Sequence, residues 1–159
     1  MKAVIQSVKK CLLTINGSEY SRIESGMLAL VGIKKNDTEK EAALLAQKLL
    51  TLRIFEDTDG KMNLNLFDAG FDIMAVSNFT VCGNCTKSRR PDFFDAMPFS
   101  DAKKLFDFFI NQLQIKAKEI SEKENKKCVD IKTGVFGSDM KITFTNDGPV
   151  TLIVDTEQI

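Results

Sequence analysis

The feature that most constrains the fold of this chain is an Asn16-Gly17 pair placed between two short runs of strand-forming residues. Asn-Gly readily adopts the positive backbone angles of a tight hairpin, so the pair predicts two antiparallel strands, Cys11 to Ile15 and Tyr20 to Ile23. Apolar runs predict a further strand before this hairpin, Lys2 to Val8, and a buried one after it, Met27 to Gly32. The first third of the chain is therefore expected to be β-structure.

Two long helices are expected beyond these strands. A capping-box pattern and a stripe of leucines predict a helix from about Thr38 to Leu50. After Pro98, Ser100 and Asp101 offer an N-cap for a second helix, which runs to about Lys118 or a little beyond. The apolar face of this second helix consists of Leu105, Phe106, Phe109 and Leu113.

Further strands are predicted from Asp72 to Phe79 and near the end of the chain. There, Lys141 to Thr145 and Val150 to Val154 lie on either side of an expected tight turn at 146–149. A length of 159 residues suits one domain spanning 1–159. The pattern predicts an α+β domain in which mostly antiparallel sheets form a partly closed, β-barrel-like core with two long helices.

The charge balance and the absence of long apolar segments limit the expected partners. Lysine plus arginine equals aspartate plus glutamate at 22 each, so long-range attraction alone does not hold the chain on a nucleic acid. Any RNA contact must come from a local patch. No segment has membrane-spanning length and no signal peptide is recognisable, so we expect no membrane contact and a cytoplasmic location.

The chain has no histidine and four scattered cysteines. Without histidine, the usual general base near neutral pH and every Ser-His or Cys-His nucleophile are excluded. Cys82 and Cys85 form a Cys-x-x-Cys pair, but no second pair follows it, so reduced thiols are favoured over a zinc site or a redox pair. We expect neither a metal nor an organic cofactor.

One candidate site for catalysis is the strand end Ser77-Asn78-Phe79-Thr80. Backbone N–H groups released at a strand end can point at a ligand oxygen, as an oxyanion hole requires. From the pattern alone, an ordinary strand end with capped polar side chains is the commoner outcome.

Two other segments are candidates for binding. Asn146-Asp147-Gly148-Pro149 has the pattern of a turn, but a Gly-Pro bond has a modest cis population, and a cis bond would turn two adjacent carbonyl oxygens to the same side. Lys87, Arg89 and Arg90 put three cations into four residues of an expected loop. This cluster suits phosphate contacts, although solvation alone explains such a run equally well.

These segments, in this order and spacing, resemble those of D-aminoacyl-tRNA deacylases of the D-tyrosyl-tRNA deacylase type. The similarity runs essentially end to end, through LALVGIKKNDTEKEA, LRIFEDTDGKMNLNL, SNFTV, RRPDF, GVFGSDM and NDGPVTLIVD. The resemblance implies a homodimeric hydrolase that cleaves the ester bond of D-aminoacyl-tRNA, and of glycyl-tRNA mischarged on tRNA-Ala, and releases the amino acid and the tRNA.

The resemblance also implies roles for individual residues. Gly148-Pro149 of one subunit, with a cis bond, would enter the pocket of the other, hold the α-amino group with its carbonyl oxygens and leave no room for an L side chain. The N–H groups around Phe79 and Thr80 would polarise the ester carbonyl, and the 2′-hydroxyl of the terminal adenosine would assist hydrolysis. Phe136 and Met140 match family positions near the pocket.

Two departures from the family pattern leave alternatives open. Asn78 stands where the family usually has glutamine, and Ser7 stands where it usually has an arginine that braces the Gly-Pro loop. A looser loop would favour a variant editor that accepts L-alanyl-tRNA. Loss of catalysis would leave a dimeric nucleic-acid-binding homologue. Because the chemistry implied by the resemblance uses backbone atoms, hydrolysis of D-aminoacyl-tRNA remains the leading expectation.

Overall fold

The computed structural model describes residues 1–86 and 89–159. Within them the chain forms eight β-strands, three α-helices and one short 3-10 helix. The strands are β1 (Lys2–Ile15), β2 (Ser18–Ile23), β3 (Gly26–Gly32), β4 (Phe55–Glu56), β5 (Met62–Leu64), β6 (Asp72–Ser77), β7 (Ile131–Thr133) and β8 (Met140–Asp155). The helices are α1 (Glu39–Thr51), α2 (Leu66–Ala69) and α3 (Phe99–Glu124), and the 3-10 helix spans Phe79–Cys82. No helix in this part of the chain has the length and apolar character needed to cross a membrane.

Strand β1 organises the main sheet. One of its edges pairs with β8 along almost its whole length, while its other edge pairs with β3 in the first half and with β2 in the second. The predicted break between Val8 and Cys11 is wrong, because β8 pairs with both halves and keeps β1 extended. The predicted hairpin is confirmed, since φ is 52° at Asn16 and 78° at Gly17, the positive angles that such a turn requires.

The remaining strands bend this sheet into a partly closed barrel. β3 pairs in parallel with β6, and β6 pairs in parallel with β7. The hydroxyl of Ser21 on β2 donates to the carbonyl oxygen of Thr133 on β7 at 2.9 Å, which joins the two ends of the path β2-β1-β3-β6-β7. The expected α+β class with a barrel-like core is confirmed, although the pairs that β6 makes are parallel rather than antiparallel.

Apolar side chains fill both faces of the sheet. The inside of the barrel is packed by a small cluster that includes Val8, Cys11, Leu13, Leu28 and Met74. The other face of the sheet meets the two long helices in a larger core, whose helical residues include Leu45, Leu49, Phe106, Phe109 and Leu113. Burial of one leucine or phenylalanine contributes on the order of 2 kcal/mol, so this layer holds α1 and α3 against the sheet.

The two long helices begin by different means. Thr38 caps α1 as predicted, because its side chain accepts the N–H of Lys40 at 3.3 Å. The buried face of α3 is also as predicted, but its expected N-caps, Ser100 and Asp101, lie inside its first turn. The carbonyl of Pro98 accepts the N–H groups of Asp101 and Ala102, so helical bonding begins before those residues. α3 also runs further than expected, to Glu124.

The segment 146–149 is part of the single strand β8 and does not form the predicted turn between two strands. Val8 pairs with Asn146 and Gln6 pairs with Thr151, so residues 147–150 of β8 lie opposite Ser7 alone. These extra residues form a bulge, and β1 holds β8 on both sides of it. In the described part of the chain, β1 is the only strand that pairs with β8.

Candidate active site

A cavity of about 680 Å³ lies between the barrel and the start of α3. Its walls include two pairs of phenylalanine rings in edge-to-face contact. The ring centroids of Phe79 and Phe93 are 5.0 Å apart, and those of Phe99 and Phe136 are 5.1 Å apart. Aromatic pairs favour this arrangement, so the rings stabilise one another and make these walls apolar. A cavity of this size and character suits a small organic group.

The cavity brings together segments that are far apart in the sequence. Ser77, Asn78 and Phe79 line it from the end of β6, while Phe136 and Met140 line it from the segment that leads into β8. Thr80, the fourth residue of the predicted strand-end site, is exposed and is not among the lining residues. Most of the residues expected near the pocket therefore line this one cavity.

The strand end is held against β3 by a main-chain bond and by close packing. The N–H of Asn78 donates to the carbonyl of Val31 at 2.8 Å. Gly32 allows the 3-10 helix to approach β3, since a Cβ at Gly32 would lie 2.8 Å from the sulfur of Cys82. The backbone of Phe79 is consequently fixed at the cavity wall.

The two predicted backbone donors at this strand end differ in availability. The side-chain oxygen of Asn78 accepts the N–H of Thr80 at 3.1 Å and also accepts the Thr80 hydroxyl. The N–H of Phe79 has no hydrogen-bond partner among the residues that the structure describes. The free donor at the cavity wall is therefore the N–H of Phe79, while that of Thr80 is already occupied.

The Gly148-Pro149 segment lies on the bulge of β8, and its peptide bond is cis. Gly148 has a φ of 115°, a backbone conformation that favours glycine, and a Cβ there would come within 2.8 Å of a methyl group of Val150. The side-chain amide of Asn146 closes the base of the bulge by donating to the carbonyls of Ser7 and Val150 at 3.0 Å each. Gly148 and Pro149 are exposed and do not line the cavity of their own chain.

The structure places two of the three predicted phosphate-binding cations. Lys87 lies outside the described residues. Arg89 and Arg90 are exposed, on the segment that leads to Phe93 in the cavity wall. Along the chain, these arginines are thus close neighbours of the cavity.

The four cysteines are free thiols. Burial raises the pKa of Cys82, and it raises the pKa of Cys11 to about 11, so both thiols disfavour the reactive thiolate form. Cys85 and Cys128 are exposed. Across residues 1–86 and 89–159, no group of three or more histidine, cysteine, aspartate or glutamate side chains is arranged to hold a metal ion.

Sequence reasoning missed Asp139 as a residue of the site. Asp139 lies in the segment GVFGSDM and is the one ionisable side chain among the described residues that line the cavity. No spacing or periodicity marks this aspartate, because its position depends on how the turn before β8 packs against α3. Phe93 and Phe99 were missed for the same reason, since tertiary packing brings them to the cavity.

Comparison with known proteins places the chain in a class of hydrolases that act on the ester bond of aminoacyl-tRNA. The sequence profile of the D-Tyr-tRNA(Tyr) deacylase family matches residues 4–155, and the chain belongs to that family. The D-aminoacyl-tRNA deacylase of Thermosipho melanesiensis is 42% identical over 159 residues, which cover 100% of this chain and 99% of the relative. The D-aminoacyl-tRNA deacylase of Geobacter sulfurreducens is 44% identical over 157 residues, 99% of this chain and 96% of the relative.

A solved structure is also similar along nearly the whole chain. It is described as c-Myc DNA Unwinding Element Binding Protein, and it superposes with a TM-score of 0.85 at 36% sequence identity. The superposition covers 98% of each chain. The resemblance inferred from the sequence segments is therefore confirmed at the level of family and fold.

Proposed function

We propose that this chain removes D-amino acids from mischarged tRNA by hydrolysing the ester bond that joins them, releasing free D-amino acid and tRNA. The observation that carries the proposal is the unpartnered N–H of Phe79 at the wall of an apolar cavity. A donor in this position stabilises the negative charge that develops on an ester carbonyl oxygen, and one such donor is worth about 100-fold to 1000-fold in rate.

In the proposed reaction, the aminoacyl group occupies the cavity and its carbonyl oxygen accepts the N–H of Phe79. A water molecule attacks the ester carbon and produces an oxyanion that this donor stabilises; collapse of the oxyanion breaks the bond to the ribose oxygen, which takes up the proton lost by the water and leaves as a hydroxyl group of the tRNA. The 2′-hydroxyl of the terminal adenosine assists, so the reaction needs no histidine, metal or organic cofactor. Thr80 matches a family threonine for which a nucleophilic role is conceivable, but its hydroxyl donates to the side-chain oxygen of Asn78, so we propose only a main-chain role for this position.

We propose that two copies of the chain form a homodimer through the open edge of β8. Phe144, Leu152 and Ile153 on this strand are 37%, 40% and 69% exposed, and apolar residues along an unpaired edge indicate a surface that is covered by a partner. In the dimer, Gly148-Pro149 of one subunit enters the cavity of the other. Its carbonyl oxygens bind the α-amino group, and its backbone excludes an L side chain. Glycine has no side chain to exclude, so glycyl-tRNA mischarged on tRNA-Ala is a second substrate.

Contacts at the bulge bear on the departure from the family pattern at Ser7. The carbonyl of Ser7 holds the amide of Asn146, which also binds the carbonyl of Val150. Lys9 adds an ion pair to Asp147 at 3.1 Å, although an exposed pair of this kind contributes little. These contacts give the loop a defined shape without an arginine at position 7. They favour strict chirality over the relaxed acceptance of L-alanyl-tRNA.

The tRNA contact is proposed to come from a local patch, because the net charge of the chain is zero. Lys87, Arg89 and Arg90 suit phosphate groups next to the aminoacyl end, and the cavity wall follows them in the sequence. We also propose a cytoplasmic location, because correction of mischarged tRNA serves translation.

Parallel deacylation assays on D-tyrosyl-tRNA, L-tyrosyl-tRNA and L-alanyl-tRNA test the proposal. The D substrate should be hydrolysed much faster than both L substrates, and a Ser7→Arg variant should show the same preference. Analytical ultracentrifugation should show a dimer. Equal rates on the D and L forms, absence of hydrolysis, or a monomer in solution would contradict the proposal.

A dimeric nucleic-acid-binding protein without catalysis is the second candidate. It is favoured by the 36% identity to the protein described as c-Myc DNA Unwinding Element Binding Protein. The replacement of the usual family glutamine by Asn78 is consistent with a changed site. Binding of uncharged tRNA or of DNA, with no turnover of any aminoacyl-tRNA, would support this candidate over hydrolysis.

A further inference from the structure

The most exposed large hydrophobic side chain in the described part of the chain is next to the cavity wall but is not part of it. This side chain is Phe94, which is 76% exposed and directly follows the wall residue Phe93. We propose that the ring of Phe94 stacks on an unpaired base of the tRNA 3′ end, one that precedes the terminal adenosine and stays outside the cavity. This inference rests on the proposed function, because it concerns a further part of the same substrate.

The backbone around Phe94 is held by hydrogen bonds. The N–H of Ala96 donates to the carbonyl of Phe93 at 3.0 Å, which closes a tight turn with Phe94 and Asp95 in its centre. The N–H of Lys35 donates to the carbonyl of Asp95 at 2.9 Å, so this turn is joined to the segment that follows β3. Phe94 therefore extends from a bonded turn with a defined position beside the cavity wall.

Exposed aromatic residues are grouped around this cavity. The rings of Phe79 and Phe99 are 58% and 64% exposed, but each contacts another ring of the cavity wall. Within residues 1–86 and 89–159, the ring of Phe94 contacts no other aromatic ring and belongs to neither core cluster. Single exposed apolar residues scattered over a surface carry no meaning, whereas a group of them beside a cavity indicates a binding surface.

The charged side chains around this turn favour a nucleic acid as the ligand. Arg89 and Arg90 precede the turn, and Lys35 is bonded to it. Neither Arg89 nor Lys35 has a side-chain hydrogen bond or an ion pair with another described residue. Asp92, which accepts a main-chain N–H of the turn at 3.4 Å, and Asp95 offset two of the three positive charges. Aromatic rings beside arginine and lysine are typical of surfaces that bind single-stranded nucleic acid.

The proposed substrate supplies unpaired bases at this place. The 3′ end of a tRNA is single-stranded, and with the aminoacyl group inside the cavity the nucleotides before the terminal adenosine must leave along its rim. Phe94 is one residue from the wall residue Phe93, roughly 3.8 Å between Cα atoms. A base outside the cavity is thus within reach of the Phe94 ring. Because every base has a face that can stack, this contact adds affinity without selecting a sequence.

The test compares two substrates that differ in the part outside the cavity. D-Tyrosyl-tRNA has bases there, and D-tyrosyl-adenosine, the aminoacylated terminal nucleoside alone, has none. For D-tyrosyl-tRNA, the Phe94→Ala variant should raise KM about tenfold with kcat unchanged, since stacking of one base on an aromatic ring is worth roughly fivefold to 150-fold in affinity. For D-tyrosyl-adenosine, the variant should match the wild type in both constants.

Three further variants separate stacking from other effects of the substitution. Phe94→Trp keeps a stacking ring and should retain the wild-type KM for D-tyrosyl-tRNA. Phe94→Leu keeps apolar area without a ring, and its KM should be close to that of Phe94→Ala. Tyr20→Ala is the matched control, because Tyr20 is a 52% exposed aromatic residue of β2 that does not line the cavity, and it should leave both substrates unaffected. Thermal melts of all the variants should match the wild type.

The outcomes distinguish this inference from the proposed function. An unchanged KM for D-tyrosyl-tRNA in the Phe94→Ala variant overturns the role of Phe94 but leaves hydrolysis intact. An equal rise in KM for both substrates also overturns it, because Phe94 would then act by supporting Phe93. A monomeric Phe94→Ala variant of a dimeric wild type would assign the ring to a contact between two copies instead. Absence of turnover of both substrates by the wild type overturns the proposed function, and the inference falls with it.

Discussion

Replacing Asn78 by aspartate changes the charge at the cavity wall while keeping the shape of the strand end. The side-chain oxygen of Asn78 accepts the N–H and the hydroxyl of Thr80, and a carboxylate oxygen can accept the same two bonds. Aspartate caps a helix about as well as asparagine does. The free energy of unfolding should therefore change by no more than about 0.5 kcal/mol.

The added charge should slow the reaction, because it repels the oxyanion. The side-chain oxygen of Asn78 lies 3.1 Å from the nitrogen of Thr80. An oxyanion about 2.9 Å from the N–H of Phe79 would lie about one residue spacing plus part of a hydrogen bond, on the order of 6 Å, from the new carboxylate of the preceding residue. Two like charges at that separation repel by about 3 kcal/mol at an effective dielectric constant of about 20. This energy corresponds to a fall in kcat of about 100-fold, with KM little changed.

The assay is single-turnover hydrolysis of D-tyrosyl-tRNA with the enzyme in excess. Asn84→Asp is the matched control, because Asn84 accepts the N–H and the hydroxyl of Thr86 at 2.9 and 2.7 Å but does not line the cavity. An Asn78→Ser variant keeps a neutral cap and should stay close to the wild-type rate. A folded Asn78→Asp variant with wild-type turnover would refute the placement of the oxyanion beside Phe79.

Three further predictions follow from the fold and the site. Gly148→Ala should reduce kcat/KM for D-tyrosyl-tRNA far more than Thr80→Ala does, because a Cβ at Gly148 would lie 2.8 Å from a methyl group of Val150. A larger loss with Thr80→Ala would contradict the main-chain mechanism. Asp155→Asn should cost about 2 kcal/mol at pH 7 by leaving the partly buried Lys34 with a weaker partner, as urea titration would show. Burial alone would raise the pKa of Asp155, but hydrogen bonds, first from Lys34, outweigh it and lower the pKa. The contribution of Asp155 to the free energy of unfolding is therefore complete above about pH 4 and is lost as the pH falls through the folded-state pKa. The Asp155→Asn variant should depend less on pH in this range. Phe109→Ala should lower the free energy of unfolding by about 4 kcal/mol in the same titration, because Phe109 is 0% exposed. A loss of less than about 0.5 kcal/mol, the usual effect of a surface substitution, would contradict the place of Phe109 in the core.

Local signals in the sequence predicted the elements that local bonding determines. The Asn16-Gly17 turn needs only two positive φ angles, and the start of α1 needs only the Thr38 cap, so both are where they were expected. The long strands were predicted less well. The continuity of β1 and of β8 depends on their pairing with each other, and no window of neighbouring residues contains that information.

The candidate site was likewise predicted only in part. The residues of the strand end and of the segment before β8 were found through family-like motifs, and the structure places most of them around one cavity. The occupation of the Thr80 N–H by Asn78 is the capped strand end that the pattern alone favoured, and it removes one of the two donors that the family resemblance implied. The presence of Asp139 in the cavity lining was not predicted, since it follows from the packing of a turn against Phe99.

The pairing of Lys2 with Asp155 has a consequence for biosynthesis. The ribosome synthesises β1 first and β8 last, so the edge of β1 that pairs with β8 stays unpaired during nearly all of translation. Contacts between such distant parts of a chain form slowly, because a large loop must close before they are made. The main sheet is therefore completed only after synthesis of the final strand, and until then the nascent chain exposes a strand edge that chaperones can protect.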